Sequence, residues 1–508
     1  MTDFDAPHSS PVSFGVVKQI LQYFGLTPDN RDPLITPSLR LFYPLDDQLA
    51  AFVRAGAISL TDAATSAEQI RFFQQRRADR HHVKVSELIA STHGPVTIRI
   101  GNCSAIDTPS RAFLQLAAAV AGWTVTYTEE PTGAVPASPS AAETRLLDAV
   151  HERRIRAEAD LVWRSAFEYV NVGDAWTGVN LGRRLAAVEP SARVWNLLAL
   201  SFAMLNESEN AQFYYDKWAA DGDDVDEIRA LYGKSMLYAR HHPDGLRDLD
   251  ECARILDSAY AIIQRLDPAT RAEDTMVFDE VFNRNGYALV LYRRGEVDEA
   301  LALLENGIGR LTQTGEKVAI HRSVLIYNLA QCHKQLGRID DAIATYQRLL
   351  DVDPFMPEYH LESAKCLAAA DRYDEAVAAC RTAIDLDRTL PVAWTLLGLY
   401  LGESEHFADA AAAYERAAAL DPAHRPVRID AAYYWILAEE VEKASAALDS
   451  VPTDRLADSE FERYASLLAE VHLRRGDDEL AVETLTSALK RLPDSTTLRE
   501  NRAVLAPA

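Results

Sequence analysis

Between Ser323 and Pro422 three segments of this 508-residue chain superimpose at a period of 34 residues. The first reads SVLIYNLAQCHKQLGRIDDAIATYQRLLDVDP and the third PVAWTLLGLYLGESEHFADAAAAYERAAALDP. Leu329, Ala330, Gly337, Ala342, Tyr346 and Pro354 of the first stand where the third has Leu397, Gly398, Glu405, Ala410, Tyr414 and Pro422. A weaker copy between them carries Ala364, Tyr373, Ala376, Cys380 and Ala383. A fixed period of this length is the mark of a stacked-helix array, in which one unit cannot bury its apolar face without a neighbour. Small residues at two points of each unit let its helices approach closely, large ones fill the gap to the next unit, and the proline ends the second helix.

The pattern resembles the tetratricopeptide repeat family. That family places a large residue at repeat position 4, Leu at 7, Gly or Ala at 8, Ala at 20, an aromatic at 24, Ala at 27 and Pro at 32. The third copy matches through Trp394, Leu397, Gly398, Ala410, Tyr414, Ala417 and Pro422. Further units are marked by Trp195, Leu198, Ala199, Ala211 and Tyr215, by Ala288, Leu291, Gly295, Ala300 and Leu304, and by Leu468, Ala469, Gly476, Ala481, Leu485, Ala488 and Pro493. The stretch LTQTGEKVAIHRS lengthens one period by eight residues, and the pair spanning 231–266 is enlarged. A degenerate unit lies around Ala432, Ala444 and Leu448, and residues 495–504 suit a polar helix that closes the stack. The resemblance covers roughly residues 145–508 and implies a mainly α, helical-hairpin solenoid, with divergent repeats over 144–270 and a tetratricopeptide solenoid over 271–508.

Residues 1–140 lack the repeat and read as a small α/β domain. FGVVKQILQYF (14–24) suggests a helix; then LRLFYP reads as a strand, DDQLAAFVRAGA as a helix, AISL as a strand and SAEQIRFFQQRRADR as a helix. VTIRIGN, SRAFLQLAAAVAGW and TVTYTEE follow as strand, helix and strand, so the sheet is expected to be largely parallel. PTGAVPASPSAAE (131–143) has the composition of a linker, and a long helical run is expected from Glu143 to Tyr169.

Charge and cysteines narrow the setting. Residues 1–140 hold 11 Lys+Arg against 13 Asp+Glu and the remainder 41 against 63, so almost all of the net −24 lies on the repeats. Such a surface disfavours nucleic acid and favours basic partners, although it also simply keeps a solenoid in solution. Cys103, Cys252, Cys332, Cys366 and Cys380 are scattered and odd in number, without CxxC or metal-ligand spacing, and read as small buried fillers. No run of 18 apolar residues is present, and the N-terminal MTDFDAPHSS lacks a basic region followed by an apolar one. The expectation is a cytoplasmic protein with no membrane span, metal or cofactor.

In the repeat family the first helix of each unit lines the groove through positions 2, 5, 6, 9, 12 and 13. The resemblance therefore implies partner-binding roles for Asn285, Tyr292, Arg293, Tyr327, Asn328, Gln331, Glu358 and Glu362. Amides can meet the backbone of a peptide and aromatics supply contact area at little entropic cost. Chaperone-binding members hold a terminal carboxylate with a Lys/Asn clamp; here only Asn328 fits, and Asn285, Glu358 and Glu362 stand where cations belong. Two carboxylates repel such a ligand, so a neutral or basic segment is expected instead.

Signals for chemistry are sparse. Gly101-Asn102-Cys103 follows an expected strand, and Asp107-Thr108-Pro109 opens a helix whose N-terminus could hold an anion. Cys103 lacks a recognisable base, no phosphate-binding glycine motif is present, and the stretch reads as a capped helix rather than a catalytic loop. His81-His82 and His241-His242 are adjacent pairs that point apart on a helix and do not form a chelate. IRFFQQRRADR (70–80) resembles a homeodomain recognition helix through Phe72, Phe73, Gln74, Arg76 and Arg77, but Gln75 replaces the adenine-reading Asn. The expected function is a non-catalytic scaffold that binds a partner protein or peptide. A peptide-sensing regulator whose N-terminal domain touches DNA or an effector, and an accessory enzyme with its site in residues 1–140, remain as alternatives. Homo-oligomerisation and small-molecule binding are left open.

Overall fold

The computed structural model describes residues 1–7, 10–33, 35–56, 58–63, 74–151, 154–312 and 315–505, with backbone alone at 74–77, 316 and 317. By compactness the chain divides into an N-terminal unit, Met1–Met356, and a C-terminal unit, Pro357–Ala508.

The N-terminal unit begins with an α/β module. Its elements are β1 (Thr2–Asp5), α1 (Gly15–Tyr23), α2 (Thr36–Phe42), α3 (Asp47–Arg54), α4 (Leu60–Ala63), α5 (Gln74–His93), β2 (Thr97–Gly101), α6 (Thr108–Val120) and β3 (Thr124–Tyr127). The three strands form one parallel sheet in the order β1-β2-β3, with Phe4 opposite Ile100 and Ile98 opposite Val125. Phe4, Ile98 and Ile100 bury one face against Val17, Ile20, Phe113 and Leu114. Asp107 caps α6 by accepting from the Ser110 N–H at 2.8 Å. The same carboxylate accepts from the N–H groups of Phe14 and Gly15 at 3.2 and 3.3 Å, so one side chain satisfies donors at the starts of two helices.

Neither of two expected strands is seen among the described residues. LRLFYP lies mostly in α2, where Leu39, Leu41 and Phe42 are all buried. A helix enclosed on every side shows no polar stripe, so its apolar run cannot be told from a strand. AISL ends in α4, because Ser59 accepts from the Asp62 N–H at 3.1 Å as a helix cap does; Ala57 lies outside the described residues. Conversely β1 was not anticipated, since TDFD reads as an acidic terminus until β2 supplies its ladder.

Residues 131–140 have no regular secondary structure, yet they are tied down. The Asp5 carboxylate accepts from the N–H groups of Thr132, Gly133 and Ala134 at 2.8–3.0 Å. Gln22 and Ser138 exchange two hydrogen bonds of 2.9 and 3.0 Å. The helical run expected over Glu143–Tyr169 is interrupted: α7 spans Ala141–Ala149 and α8 begins at Ala159.

Paired helices follow: α8 (Ala159–Val172) with α9 (Ala175–Val188), α10 (Ala192–Met204) with α11 (Ser208–Asp221), and α12 (Asp224–Met236) with α13 (Leu249–Arg265). After a short α14 (Pro268–Ala272) come α15 (Asp274–Arg294) with α16 (Val297–Arg310) and α17 (Glu316–Gln335) with α18 (Ile339–Val352). The eight-residue expansion of the period lengthens α17 at its N-terminal end. First helices of neighbouring pairs touch along the row α8, α10, α12, α15, α17, which makes that row the tighter, inner side of the stack.

The C-terminal unit repeats the scheme with α19 (Pro357–Ala369) and α20 (Tyr373–Leu386), α21 (Pro391–Glu403) and α22 (Phe407–Leu420), α23 (Pro426–Leu437) and α24 (Val441–Asp449), and α25 (Asp458–Arg474) and α26 (Asp478–Arg491). A terminal helix, α27 (Thr496–Leu505), covers the last pair and buries Leu498 there. Gly398 shows why position 8 is small: a Cβ there would stand 2.7 Å from the Tyr414 ring.

The α/β module is joined to its own unit's repeats by buried polar contacts. Ser13 donates to Asp174 at 2.9 Å, the Ser13 N–H donates to Thr177 at 2.9 Å, and Lys18 pairs with Glu143 at 2.8 Å. Helix α2 packs on α8, and α4 on α17, where the Leu60 N–H donates to buried Asp353 at 3.0 Å. The module thus straddles the inner row, touching its first and last members.

Candidate functional site

The inner row of the N-terminal unit gathers several of the side chains expected there, and it uses them first on one another. Buried Asn285 of α15 accepts from Asn328 of α17 at 2.9 Å. Gln331 donates to the Tyr346 hydroxyl at 2.6 Å, and Tyr327 meets the Tyr346 ring edge-on at 6.2 Å. Arg293 donates through Nη1 to the Ala239 carbonyl. Tyr292 is half-buried among the apolar residues of α15 and α16.

That carbonyl belongs to the one pair of this unit whose hairpin departs from the common turn. In four others the helix-to-helix turn is a left-handed residue: Gly173, Asn206, Gly295 and Gly337. Arg240 holds the corresponding place, one period after Asn206. Here α12 instead runs on into a π-turn, Leu237–His241, closed by the His242 N–H donating to Leu237 at 2.9 Å. Three arginines collect on it: Arg240 itself, Arg293 on the Ala239 carbonyl, and Arg247 donating to the His242 carbonyl at 2.9 Å. Arg240 lies within electrostatic reach of Tyr232, Arg293, Tyr327 and Cys252; burial above all holds its guanidinium below the ordinary arginine range. Burial, then Arg247, does the same to Arg293. Arg247 pairs with exposed Asp244 at 2.7 Å, and neighbouring Arg294 pairs with Asp250. Arg240 was not anticipated, because the enlarged pair around it carries too few repeat letters to set a register.

In the C-terminal unit the first helices present a different surface. Glu358 is half-buried on α19, and Glu362 pairs with Lys365 at 2.5 Å. Further along the row, Val392 and Leu399 of α21 are 44% and 38% exposed, and Tyr433 of α23 is 38% exposed. Exposed Glu403 follows Leu399 by one helical turn, and among the described residues it has no ion-pair partner. Glu403 and Asp430 both act on the Tyr414 and Tyr434 hydroxyls, which burial already raises. Asp430 pairs with Arg463 at 2.5 Å, and that guanidinium lies 5.6 Å over the Tyr433 ring.

Three tetratricopeptide repeat family models match the chain, over residues 281–354, 327–391 and 391–424. The chain is a tetratricopeptide repeat protein. Among solved structures, this repeat protein is similar to the C-terminal part of a TPR repeat-containing protein from Cytophaga hutchinsonii, at 14% identity over 52% of this chain and 97% of that one, TM-score 0.38. It is also similar to a tetratricopeptide repeat protein from Parabacteroides merdae (14% identity, 55% and 98%, TM-score 0.35). A third is pilF of Pseudomonas aeruginosa (17% identity, 45% and 99%, TM-score 0.35). No curated protein matches the chain.

Local contacts engage several of the remaining chemical candidates. Cys103 donates to Glu129 at 2.9 Å, and this bond first, then burial, raises the thiol above its ordinary range. A nucleophile needs the thiolate, which that neighbour opposes. His81 meets Ser38 at 3.0 Å and His242 meets Ser208 at 2.9 Å, while His82 is enclosed by aromatic rings. Among the described residues no three metal-ligating side chains converge, and no helix is long and apolar enough to cross a membrane. Phe72 and Phe73 of the arginine-containing stretch, and the side chains of Gln74, Gln75, Arg76 and Arg77, lie outside the described residues.

Proposed function

We propose that the protein is a scaffold whose C-terminal unit holds a basic, amphipathic segment of a partner protein along its first helices. The observation that carries this reading is the juxtaposition of exposed Leu399 and Tyr433 with the exposed carboxylate of Glu403 and with Asp430, which would exchange its ion pair with Arg463 for a partner's cation. An apolar strip receives the apolar face of the segment, and flanking carboxylates select its lysines or arginines. Glu362 extends the acidic side, since its charge also acts on the Tyr400 hydroxyl of the next first helix. Asn285, Tyr292, Arg293, Tyr327, Asn328 and Gln331 are assigned a smaller part in this segment's binding, because they lie in the N-terminal unit, where Asn285, Asn328, Gln331 and Arg293 hydrogen-bond to other residues of that unit.

Fluorescence anisotropy with a labelled basic amphipathic peptide tests the reading. Glu403→Lys should weaken binding about tenfold, as expected for loss of one well-placed charge plus introduction of a like one. Leu399→Asp should do the same through the apolar strip. Equal affinity in both variants would place the ligand elsewhere.

A further inference from the structure

We propose that the outer edge of β3 docks a second copy of this chain, the two β3 strands pairing antiparallel about a two-fold axis at Thr126. The proposal is independent of the basic-segment reading, since it concerns the α/β module of the other unit and a contact made by backbone groups.

The backbone of β3 is satisfied on one side only. The Thr124 and Thr128 N–H groups turn to β2, donating to the Val96 and Ile100 carbonyls at 2.9 Å each. Alternate residues of a strand turn their N–H and C=O groups to opposite edges, so those of Val125 and Tyr127 point outward. β3 is the last strand in the order β1-β2-β3, and among the described residues nothing bonds to its outer side. The opposite edge of the sheet is closed. There the Gln19 side chain accepts from the Asp5 N–H at 3.3 Å and donates to the Asp5 carbonyl at 2.6 Å, as a neighbouring strand would. Soluble proteins guard an open edge with Lys, Pro, a bulge or a cover. β3 reads Thr-Val-Thr-Tyr, residues that favour strands, with no charge or proline and an unbroken register on β2. Thr124, Thr126 and Tyr127 are exposed, the last at 46%.

What fits this edge is the edge itself. Pairing Val125 with Tyr127 of the second copy, and Tyr127 with Val125 of the second copy, uses every outward N–H and C=O of the strand. A register centred on Val125 would instead need the Trp123 N–H, which is spent on the Ala117 carbonyl at 3.2 Å. In the register centred on Thr126, each Val125 lies across from a tyrosine on the sheet face shared with Ile98 and Ile100, a β-branched and aromatic pair. Thr126 meets Thr126 of the second copy on the other face, in the row of the exposed Asp3–Arg99 pair. An antiparallel strand at the edge of a parallel sheet is a common arrangement. Charge selects the same occupant. Residues 1–140 are close to neutral, β3 carries no charge, and Glu129 falls opposite Trp123 rather than opposite another carboxylate. Self-association through the acidic repeats would set carboxylates against carboxylates. A two-fold contact also closes on itself, so pairing stops at a dimer.

Sedimentation velocity of the full chain over a concentration series tests the pairing. We expect a reversible monomer–dimer equilibrium with the dimer dominant by about 100 µM. The amides of Val125 and Tyr127 should exchange hydrogen more slowly as the chain is concentrated. Thr126→Lys should weaken the dimer at least about tenfold, because symmetry sets its two lysines against each other. Mixing that variant in equal amount with Thr126→Glu should recover the dimer, since each lysine then faces a glutamate. Glu403→Lys should leave the equilibrium unchanged, which keeps this outcome separate from that of the basic-peptide experiment. A chain that stays monomeric up to about 100 µM, a dimer that Thr126→Lys leaves unchanged, or a mixture no tighter than Thr126→Lys alone would overturn the proposal. Should Thr126→Lys fail to fold by circular dichroism, Val125→Pro replaces it. That change removes an outward N–H without touching a bond to β2, and an unchanged dissociation constant there would be equally decisive.

Discussion

His82 sits among Phe14, Phe42 and Phe113, with ring centroids 5.6, 6.0 and 5.6 Å away, and among the described residues neither ring nitrogen has a hydrogen-bond partner. Burial pushes its pKa down to about 3. An unfolded chain protonates this group near 6.5 while the folded one does not, so the fold loses stability as pH falls below that value. The loss approaches about 1.4 kcal/mol per pH unit and ends once the folded group also takes a proton. Buried Asp174 works in the opposite sense: burial raises it to about 6 against the bonds from Thr177 and Ser13, so the fold gains as pH falls from there toward 4. The two trends mask each other in the native profile, and a paired comparison isolates the histidine. His82→Phe should be no less stable than the native chain at pH 7, and its advantage should grow by about 1 kcal/mol between pH 6 and 5 in urea unfolding. A constant difference would mean that His82 is hydrated. The sequence made this histidine legible only as half of an adjacent pair. Its enclosure depends on Phe14, Phe42 and Phe113, which come from three separate helical segments.

At the scale of elements, the period dictates the turn. The chain places a left-handed residue at position 15 of eight hairpins, four with glycine (Gly173, Gly295, Gly337, Gly476) and four with Asn206, Asp371, Glu405 and Glu439. Asn and Asp tolerate that conformation through local hydrogen bonding, whereas Glu carries a Cβ penalty without the same relief. Glu405→Gly and Glu439→Gly should therefore each stabilise the C-terminal unit by about 0.5–1 kcal/mol, after the extra freedom of glycine in the unfolded chain is offset. Gly337→Ala should lose a similar amount in the N-terminal unit, and urea midpoints measure all three. No gain at Glu405 would indicate that its side chain caps the turn. These hairpins were readable because one helix-turn-helix pattern recurs and each copy corroborates the next. The α/β module offers no such repetition. Its βαβ portion, β2-α6-β3, was legible from local alternation and the Asp107-Thr108-Pro109 start. The buried α2 and the four-residue β1 were not, since the first lacks a polar face and the second is a strand only by virtue of its partner.

For the whole molecule, the division at Met356 and Pro357 predicts how the chain comes apart. Residues 357–508 contain their own hairpins and a terminal helix over the core of Ala469, Leu485 and Leu498, so this piece should fold alone. Residues 141–356 should not survive as well without the module that precedes them. Removing residues 1–140 takes Lys18 from buried Glu143, Ser13 from buried Asp174, and the Leu60 N–H from buried Asp353. Stripping one partner from a buried ion pair typically costs about 3–5 kcal/mol, and here two further buried carboxylates lose donors as well. The expected result is a helical, reversibly melting 357–508 fragment, a stable 1–356 fragment, and a 141–356 fragment that aggregates or melts well below it. Supplying residues 1–140 in trans should recover part of the loss. Should 141–356 melt at the temperature of 1–356, the module would be a tethered passenger, and its place across the inner row would contribute nothing to holding α8 and α17 in register.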